Sequence, residues 1–339
     1  MMSAPHPETW LKPVPGGLYC VPGDFFIDPT RAAARAIITH GHSDHARGDN
    51  GAVLATAETL AIMRHRLGER AGGSLQSLGY GETMRMGEVA VRLVPAGHVL
   101  GSAQVVMEWQ GSRAVVSGDY KRRHDATCAP FEPVPCDVFV TEATFGLPVF
   151  RHPPDTEEID KLLHALRLYP ERCALVGAYS LGKAQRVLAL IRAAGHDDPI
   201  YLHGAISNIC TIYESFGQGF GDIRPMQGMA KDDLKGRIIL APPGVTADVW
   251  ARRLPDPIVA MASGWMRVKQ RAKQRSVELP LMISDHADWD ELIRTFDDVA
   301  APEIWVTHGS EDALIRQATL TGRRARALRL VGLGEEEAE

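Results

Sequence analysis

The strongest constraint on this chain is the run Ile37-Ile38-Thr39-His40-Gly41-His42-Ser43-Asp44-His45, where an apolar segment gives way to three imidazoles and a carboxylate within six positions. No ordinary core or solvated loop needs that grouping. Borderline nitrogen donors beside a hard oxygen suit zinc or manganese, so the H-x-H-x-D-H spacing predicts the loop of a two-metal hydrolase. A pair of ions needs more donors than one loop can give. Four other apolar runs supply them: Val91 to Val94 leads to His98, Ala114 to Val116 to Asp119, Val138 to Val140 to Glu142, and Ile304 to Val306 to His308. Gly101-Ser102-Ala103, shortly after His98, is small enough to let backbone pass close to the ions. Donors that follow short β-branched or aromatic runs are expected to project together from one edge of a sheet.

A length of 339 residues with 45% hydrophobic content is enough for one large or two ordinary cores. The apolar stretches are broken by charge or glycine well short of the roughly 20 residues of a membrane span. The N-terminal residues show no basic segment followed by an apolar one, so the expectation is a cytoplasmic enzyme without a membrane partner. Cys20, Cys128, Cys136, Cys173 and Cys210 are scattered and form no C-x-x-C pair, which argues against a disulfide framework or a zinc knuckle.

The net charge of -5 does not suggest a polyanionic partner. Part of the excess, however, lies at the expected metal site and in the tail Gly334-Glu335-Glu336-Glu337-Ala338-Glu339, expected to be disordered. The basic residues are clustered. Arg267, Lys269, Arg271, Lys273 and Arg275 follow Ser263-Gly264, and Lys121-Arg122-Arg123 follow Asp119 directly. Ser263, Gly264, Lys121 and Arg267 are therefore candidate phosphate contacts.

Along the chain, residues 1–150 alternate strand-like runs with short helices, one of them capped by Thr56 and running to about residue 67. Two prolines at 153 and 154 open a second region. There Asp155-Thr156-Glu157-Glu158 predicts a capping box, and Ile159, Leu162, Leu163 and Leu166 share one helical face. A second helix carries Ala184, Val187, Leu188 and Ile191 and stops at Gly195. Alternation of these helices with Ala174-Leu175-Val176, Ile200-Tyr201-Leu202, Ile238-Ile239-Leu240 and Ile258-Val259-Ala260 predicts βα units and a mainly parallel sheet over 151–275. Residues 276–339 are expected to return to the first domain, because His308 must join ligands far upstream.

Taken in order, these motifs resemble the metallo-β-lactamase fold, with its H-x-H-x-D-H loop, later histidine and bridging aspartate. Glu142 in Thr141-Glu142-Ala143-Thr144-Phe145-Gly146, His286 in Ser284-Asp285-His286-Ala287-Asp288, and His308 in Val306-Thr307-His308-Gly309 resemble the extra motifs of its β-CASP branch, largely nucleases. Val176 to Gln185 and Ala262-Ser263-Gly264-Trp265-Met266 are similar to segments of the β-CASP cap. The implied fold is an α/β αββα sandwich with an inserted cap. Within the branch, Gly17 to Pro29, Ser117 to Arg123 and Cys128 to Asp137 resemble the bacterial ligase-associated DNA damage response exonucleases.

The resemblance implies His40, His42 and His98 on one divalent ion, Asp44, His45 and His308 on the other, and Asp119 between them, with zinc or manganese as the metal. Ions about 3.5–4 Å apart can polarise a phosphate and lower the pKa of a water to about 7. His286, oriented by Glu142, is then the expected proton donor, and Asp44 joins them in the catalytic group. The expected function is a DNA exonuclease of DNA repair working in a cleft between domain and cap, functionally associated with an ATP-dependent DNA ligase and a helicase. The alternative is an RNA-processing nuclease, since a histidine at the last motif is typical of RNA-acting members. A thioester or lactone hydrolase fits the cap and His286 less well. A catalytically silent scaffold would require missing ligands, and none is missing.

Overall fold

The computed structural model describes residues 4–248 and 250–328, so the acidic tail Gly334–Glu339 lies outside the described residues. Two compact units result: one joins the residues up to Arg151 with those from His286 onward, and the other is His152–Asp285.

The first unit holds two sheets. Strands Leu11–Val14, Gly17–Cys20, Phe25–Ile27, Arg35–Ile37, Ala52–Ala55 and Ser74–Ser77 form one in sequential order. The order of the other is Arg324–Ala327, Glu303–Gly309, Val138–Ala143, Ser112–Val116, Ala103–Trp109, Val89–Pro95 and Thr83–Met86. Its first four strands run parallel to one another, whereas the next three are joined antiparallel.

Side chains alternate across a strand, so a sheet buried on both faces reads as an unbroken apolar run. Val138 and Val140 pack with Leu18, Phe25, Ile37 and Leu54 of the facing sheet. Phe139 points the other way, with Val115, Ile304 and Val306, onto Leu292 and Phe296 of helix Trp289–Asp298 and Leu314 of helix Glu311–Leu320. The outer face of the first sheet is covered by Leu60 and Met63 of helix Ala57–Leu67, whose N-cap is Thr56. The first unit is thus mixed α/β, with helices packed against faces of both its sheets.

The second unit is a six-stranded parallel sheet in the order Ile223–Pro225, Ile200–Leu202, Ile238–Ala241, Ala174–Gly177, Ile258–Ala262 and Leu279–Leu281. Two details differ from the sequence reading. The return to the first unit begins at His286 and not near residue 276, because Leu279–Leu281 still pairs with Ala260–Ala262. The capping box expected at Asp155 is absent, because both of its acids turn inward. Asp155 Oδ2 pairs with Arg186 at 2.7 Å, and Glu158 Oε2 accepts from Met282 N at 3.0 Å.

Breaking a buried pair by removing one partner typically costs about 3–5 kcal/mol, far more than the pair's net worth. Arg186, 1% exposed, fills such a position. Arg186→Met is therefore expected to lower the unfolding free energy of the second unit by that order, read as a fall in its urea midpoint. An unchanged midpoint would show the pair to be dispensable.

Candidate metal centre

The expected donors of the first unit come from the ends of strands in both its sheets and meet in common groups. The strands ending near His98 and Asp119, and those carrying Glu142 and His308, run in the same direction, so their C-terminal ends lie side by side. The His40 loop leaves Arg35–Ile37 of the facing sheet, and Ala103 N donates to Thr39 O at 2.8 Å to bind the two edges together. Between Val138–Ala143 and Glu303–Gly309 the register shifts after Thr141. There His308 takes φ +58 and Gly309 φ +119, and a Cβ on Gly309 would collide with Ala143 O. Only glycine permits that approach.

Two sets of donors result, each with ligand atoms within 4.8 Å of one another: His40, His42, His98 and Asp119 in one, and Asp44, His45 and His308 in the other. Asp119 also groups with Glu142 and His286. Asp119 Oδ2 lies 3.3 Å from His45 Nε2, 3.5 Å from His40 Nε2 and 4.0 Å from His98 Nε2. Its Oδ1 lies 3.1 Å from His308 Nδ1, while Asp44 Oδ2 lies 3.6 Å from His45 Nε2 and 3.8 Å from His308 Nε2.

Burial gives these distances their meaning. Buried polar atoms normally find hydrogen-bond partners, yet His40 Nε2, His45 Nε2, Asp44 Oδ2 and Asp119 Oδ2 have none among the described residues. Separations of 3.3 and 3.5 Å match two ligands each about 2.0–2.2 Å from one tetrahedral ion. The donor set therefore fits divalent cations: imidazole and carboxylate lie together, with those four atoms unspent on hydrogen bonds among the described residues.

Protonation follows the same geometry. Burial holds the His40 imidazole well below its usual range, reinforced by His45 and His98, so it is a neutral donor. For His45 burial acts downward too, but Asp119 and Asp44 outweigh it and raise the group. His308 is likewise pushed up to about 9, against burial, by Asp119. Burial alone would raise the Asp119 carboxyl, but His45 and His308 hold it well below its usual range.

Beside the donors, His286 Nδ1 lies 2.9 Å from Glu142 Oε2, and Glu142 Oε1 accepts from Tyr120 N at 2.8 Å. The His286 ring sits 4.6 Å from that of His98. Glu142 and His286 are 2% and 1% exposed, so the imidazole has one nitrogen tied to a carboxylate and the other turned away from it.

Asp28 is a site residue that the sequence reading missed. Its Oδ2 lies 2.8 Å from His45 Nδ1 and accepts from Thr39 Oγ1 at 2.6 Å, while Oδ1 accepts from Thr39 N at 2.8 Å. It orients His45 and pins the start of the His-rich loop. The signal is present, since Phe25-Phe26-Ile27-Asp28 is another apolar run ending in a carboxylate.

Lys121 requires a correction. It does not present its ammonium for a phosphate contact: it is 1% exposed, and Nζ donates to His286 O and to Glu291 Oε2, both at 2.9 Å. Its neighbours are also engaged, Arg122 with Asp298 at 2.5 Å and Arg123 with Asp288 at 3.1 Å. Carboxylates on helix Trp289–Asp298 and its cap neutralise the whole triplet. In the second unit, by contrast, Arg267, Lys269, Lys273 and Arg275 are exposed and have no ion-pair partner among the described residues. Arg271 stacks over Trp265 at 4.1 Å, Ser263 Oγ accepts from Trp265 N, and Gly264 is buried.

No protein-family model matches the chain. It is 27% identical to a probable DNA ligase of Opitutus terrae over 86% of this chain, but over only 28% of that protein. It is 25% identical to a protein named ribonuclease TTHA0252 of Thermus thermophilus, over 92% of this chain and 89% of that one. Cleavage and polyadenylation specificity factor subunit 3 of Dictyostelium discoideum is 23% identical over 68% of this chain and 34% of its own length. The chain thus spans about a third or less of two of these relatives and most of the third. Among solved structures, a protein of unknown function from Enterococcus faecalis V583 superposes with a TM-score of 0.60 at 12% identity, covering 88% of this chain and 80% of that one, which is a likeness of fold. No helix among the described residues is long and apolar enough to cross a membrane.

Metal analysis of protein reconstituted in zinc or manganese is expected to find two ions per chain, and Asp119→Ala to lose most of both. Asp28→Asn should weaken metal affinity about 10–100-fold, the usual effect of losing the carboxylate behind a ligating histidine. Unchanged affinity would remove Asp28 from the centre.

Proposed function

We propose that the chain is a metal-dependent nuclease, with a metallo-β-lactamase sandwich as its first unit and a β-CASP cap as its second, acting as a DNA exonuclease in DNA repair. The observation that carries the reading is the set of four buried ligand atoms without hydrogen-bond partners among the described residues, on His40, His45, Asp44 and Asp119, beside the Glu142–His286 pair. His40, His42 and His98 would hold one divalent ion and Asp44, His45 and His308 the other, with Asp119 as a donor common to both. Zinc or manganese, when bound, supplies Lewis-acid polarisation of the phosphate and a water of lowered pKa.

The chain's own residues then handle the departing group. Hydrolysis adds water at phosphorus and breaks the P–O bond to the leaving sugar oxygen, which must gain a proton. With Nδ1 held by Glu142, protonated His286 keeps its second proton on Nε2, facing away from the carboxylate, and gives it to that oxygen. Glu142 stabilises the imidazolium and fixes its orientation.

Substrate contacts are assigned to Ser263, Gly264 and Arg267, continued by the exposed cations Lys269, Lys273 and Arg275. Likeness to a protein named as a probable DNA ligase points toward DNA and a DNA ligase, while the ATP dependence of that ligase and the helicase rest on the sequence resemblance alone. RNA is the second reading, favoured by likeness to a named ribonuclease over nearly its whole length.

Matched end-labelled and circular DNA and RNA strands, incubated with manganese or zinc, test the reading. Loss of terminal nucleotides from linear DNA with circles intact is the expected outcome, and efficient RNA cleavage beside inert DNA would reject DNA as the substrate. His286→Ala should keep both ions and lose about 10²- to 10⁴-fold in turnover. Neutralising Lys269 and Lys273 together should flatten the log-log salt dependence of single-strand binding by about 0.7 for each phosphate that the variant no longer neutralises. An unaltered slope would place the strand elsewhere.

A further inference from the structure

The segment following Asp119 grips the His286 turn by both backbone and ring. Ala287 N donates to Tyr120 O at 2.6 Å, and Lys121 Nζ donates to His286 O at 2.9 Å. Tyr120 N donates to Glu142 Oε1, the carboxylate that holds His286 Nδ1. From the other side, Lys121 N donates to Ala96 O at 3.1 Å. Gly97, at φ +75, packs its Cα so closely that a Cβ would collide with Lys121 O. Lys121 therefore sits where the loops bearing His98, Asp119 and His286 converge.

A buried ammonium is costly, and an apolar side chain of similar length would fill the space without desolvating a charge. What the ammonium alone provides is two directed bonds at once, to His286 O and to Glu291 Oε2. Glu291 closes a capping box with Asp288, accepting from Asp288 N at 2.9 Å while Asp288 Oδ1 accepts from Glu291 N at 3.1 Å. Arg123 pairs with the same Asp288. The turn carrying His286 is thus tied at its carbonyl, at its ring and at the first turn of the helix behind it.

Resting on the nuclease reading above, we infer that Lys121 is a positioning residue for proton donation: it fixes His286 against the leaving oxygen and takes no part in holding the ions or the strand. Its ammonium reaches His286 O and Glu291 Oε2, neither of which belongs to the donor sets His40, His42, His98, Asp119 and Asp44, His45, His308. Its removal therefore slows only those reactions whose leaving group needs a proton, because a misplacement of about 1 Å in a catalytic group can cost about 10²-fold.

The test compares wild type, Lys121→Met, His286→Ala and the double variant, all loaded with manganese, on an unmodified oligonucleotide and on the p-nitrophenyl ester of thymidine 5′-monophosphate, whose nitrophenolate departs without protonation. For Lys121→Met the expected result is two ions per chain, an unchanged KM, and kcat on the oligonucleotide lower by about 10²-fold, with the nitrophenyl ester cleaved at nearly the wild-type rate. The double variant should be no slower than His286→Ala alone. Equal losses on both substrates, or additive losses in the double variant, overturn the inference. Should Lys121→Met fail to fold, Glu291→Gln removes the same charge pair while keeping its shape, and must show the same dependence on leaving group. A wild type that cleaves neither substrate sinks the nuclease reading itself, whereas an active wild type indifferent to Lys121 sinks only this role.

Discussion

One oxygen atom organises this molecule. Asp119 Oδ2 lies within 4.0 Å of three imidazole nitrogens, in a setting from which water is almost excluded, and makes no hydrogen bond among the described residues. A carboxylate in that position is costly unless positive charge meets it. Protons on His45 and His308 can provide that charge, as the raised values of those groups indicate, and a divalent cation can provide more of it. Sheet order, the bulge at Thr141, the positive φ of His308 and the carboxylate of Asp28 behind His45 all serve to bring charge to this point.

Cationic side chains divide between the two units according to what surrounds them. In the first, Lys121, Arg122 and Arg123 are answered by Glu291, Asp298 and Asp288, so they join strand ends to a helix. In the second, Arg267, Lys269, Lys273 and Arg275 lie in or beside a short helix, with no acid paired to them among the described residues. A net charge of -5 conceals this division, because a polyanion responds to the local field and not to the sum.

Much of the centre is legible because metal ligands obey local rules. His98 and Asp119 each sit one short turn beyond a strand, and strand-forming runs are recognisable from alternation and β-branching alone. The Glu142–His286 contact follows from the resemblance and is present at 2.9 Å. The same rule would find Asp28, which the following Pro29 disguises as an ordinary turn. What misleads is charge. The motif at Asp155 predicts a capping box, yet its side chain meets Arg186, while the box that forms is at Asp288 and Glu291.

Sequence alone determined which residues could be strands, which segments could be amphipathic helices, and that an uncommon number of ligand atoms lie at strand ends. These properties depend on side-chain type and on periods of two or 3.6 residues, so each is written within a few positions. Tertiary structure alone decided the fate of the charges. Whether Lys121 faces solvent or a buried carbonyl depends on Glu291 and His286, more than 160 positions away in the chain. A basic triplet looks the same on paper in either case, and only the packing of a distant helix against the strand ends turned it inward.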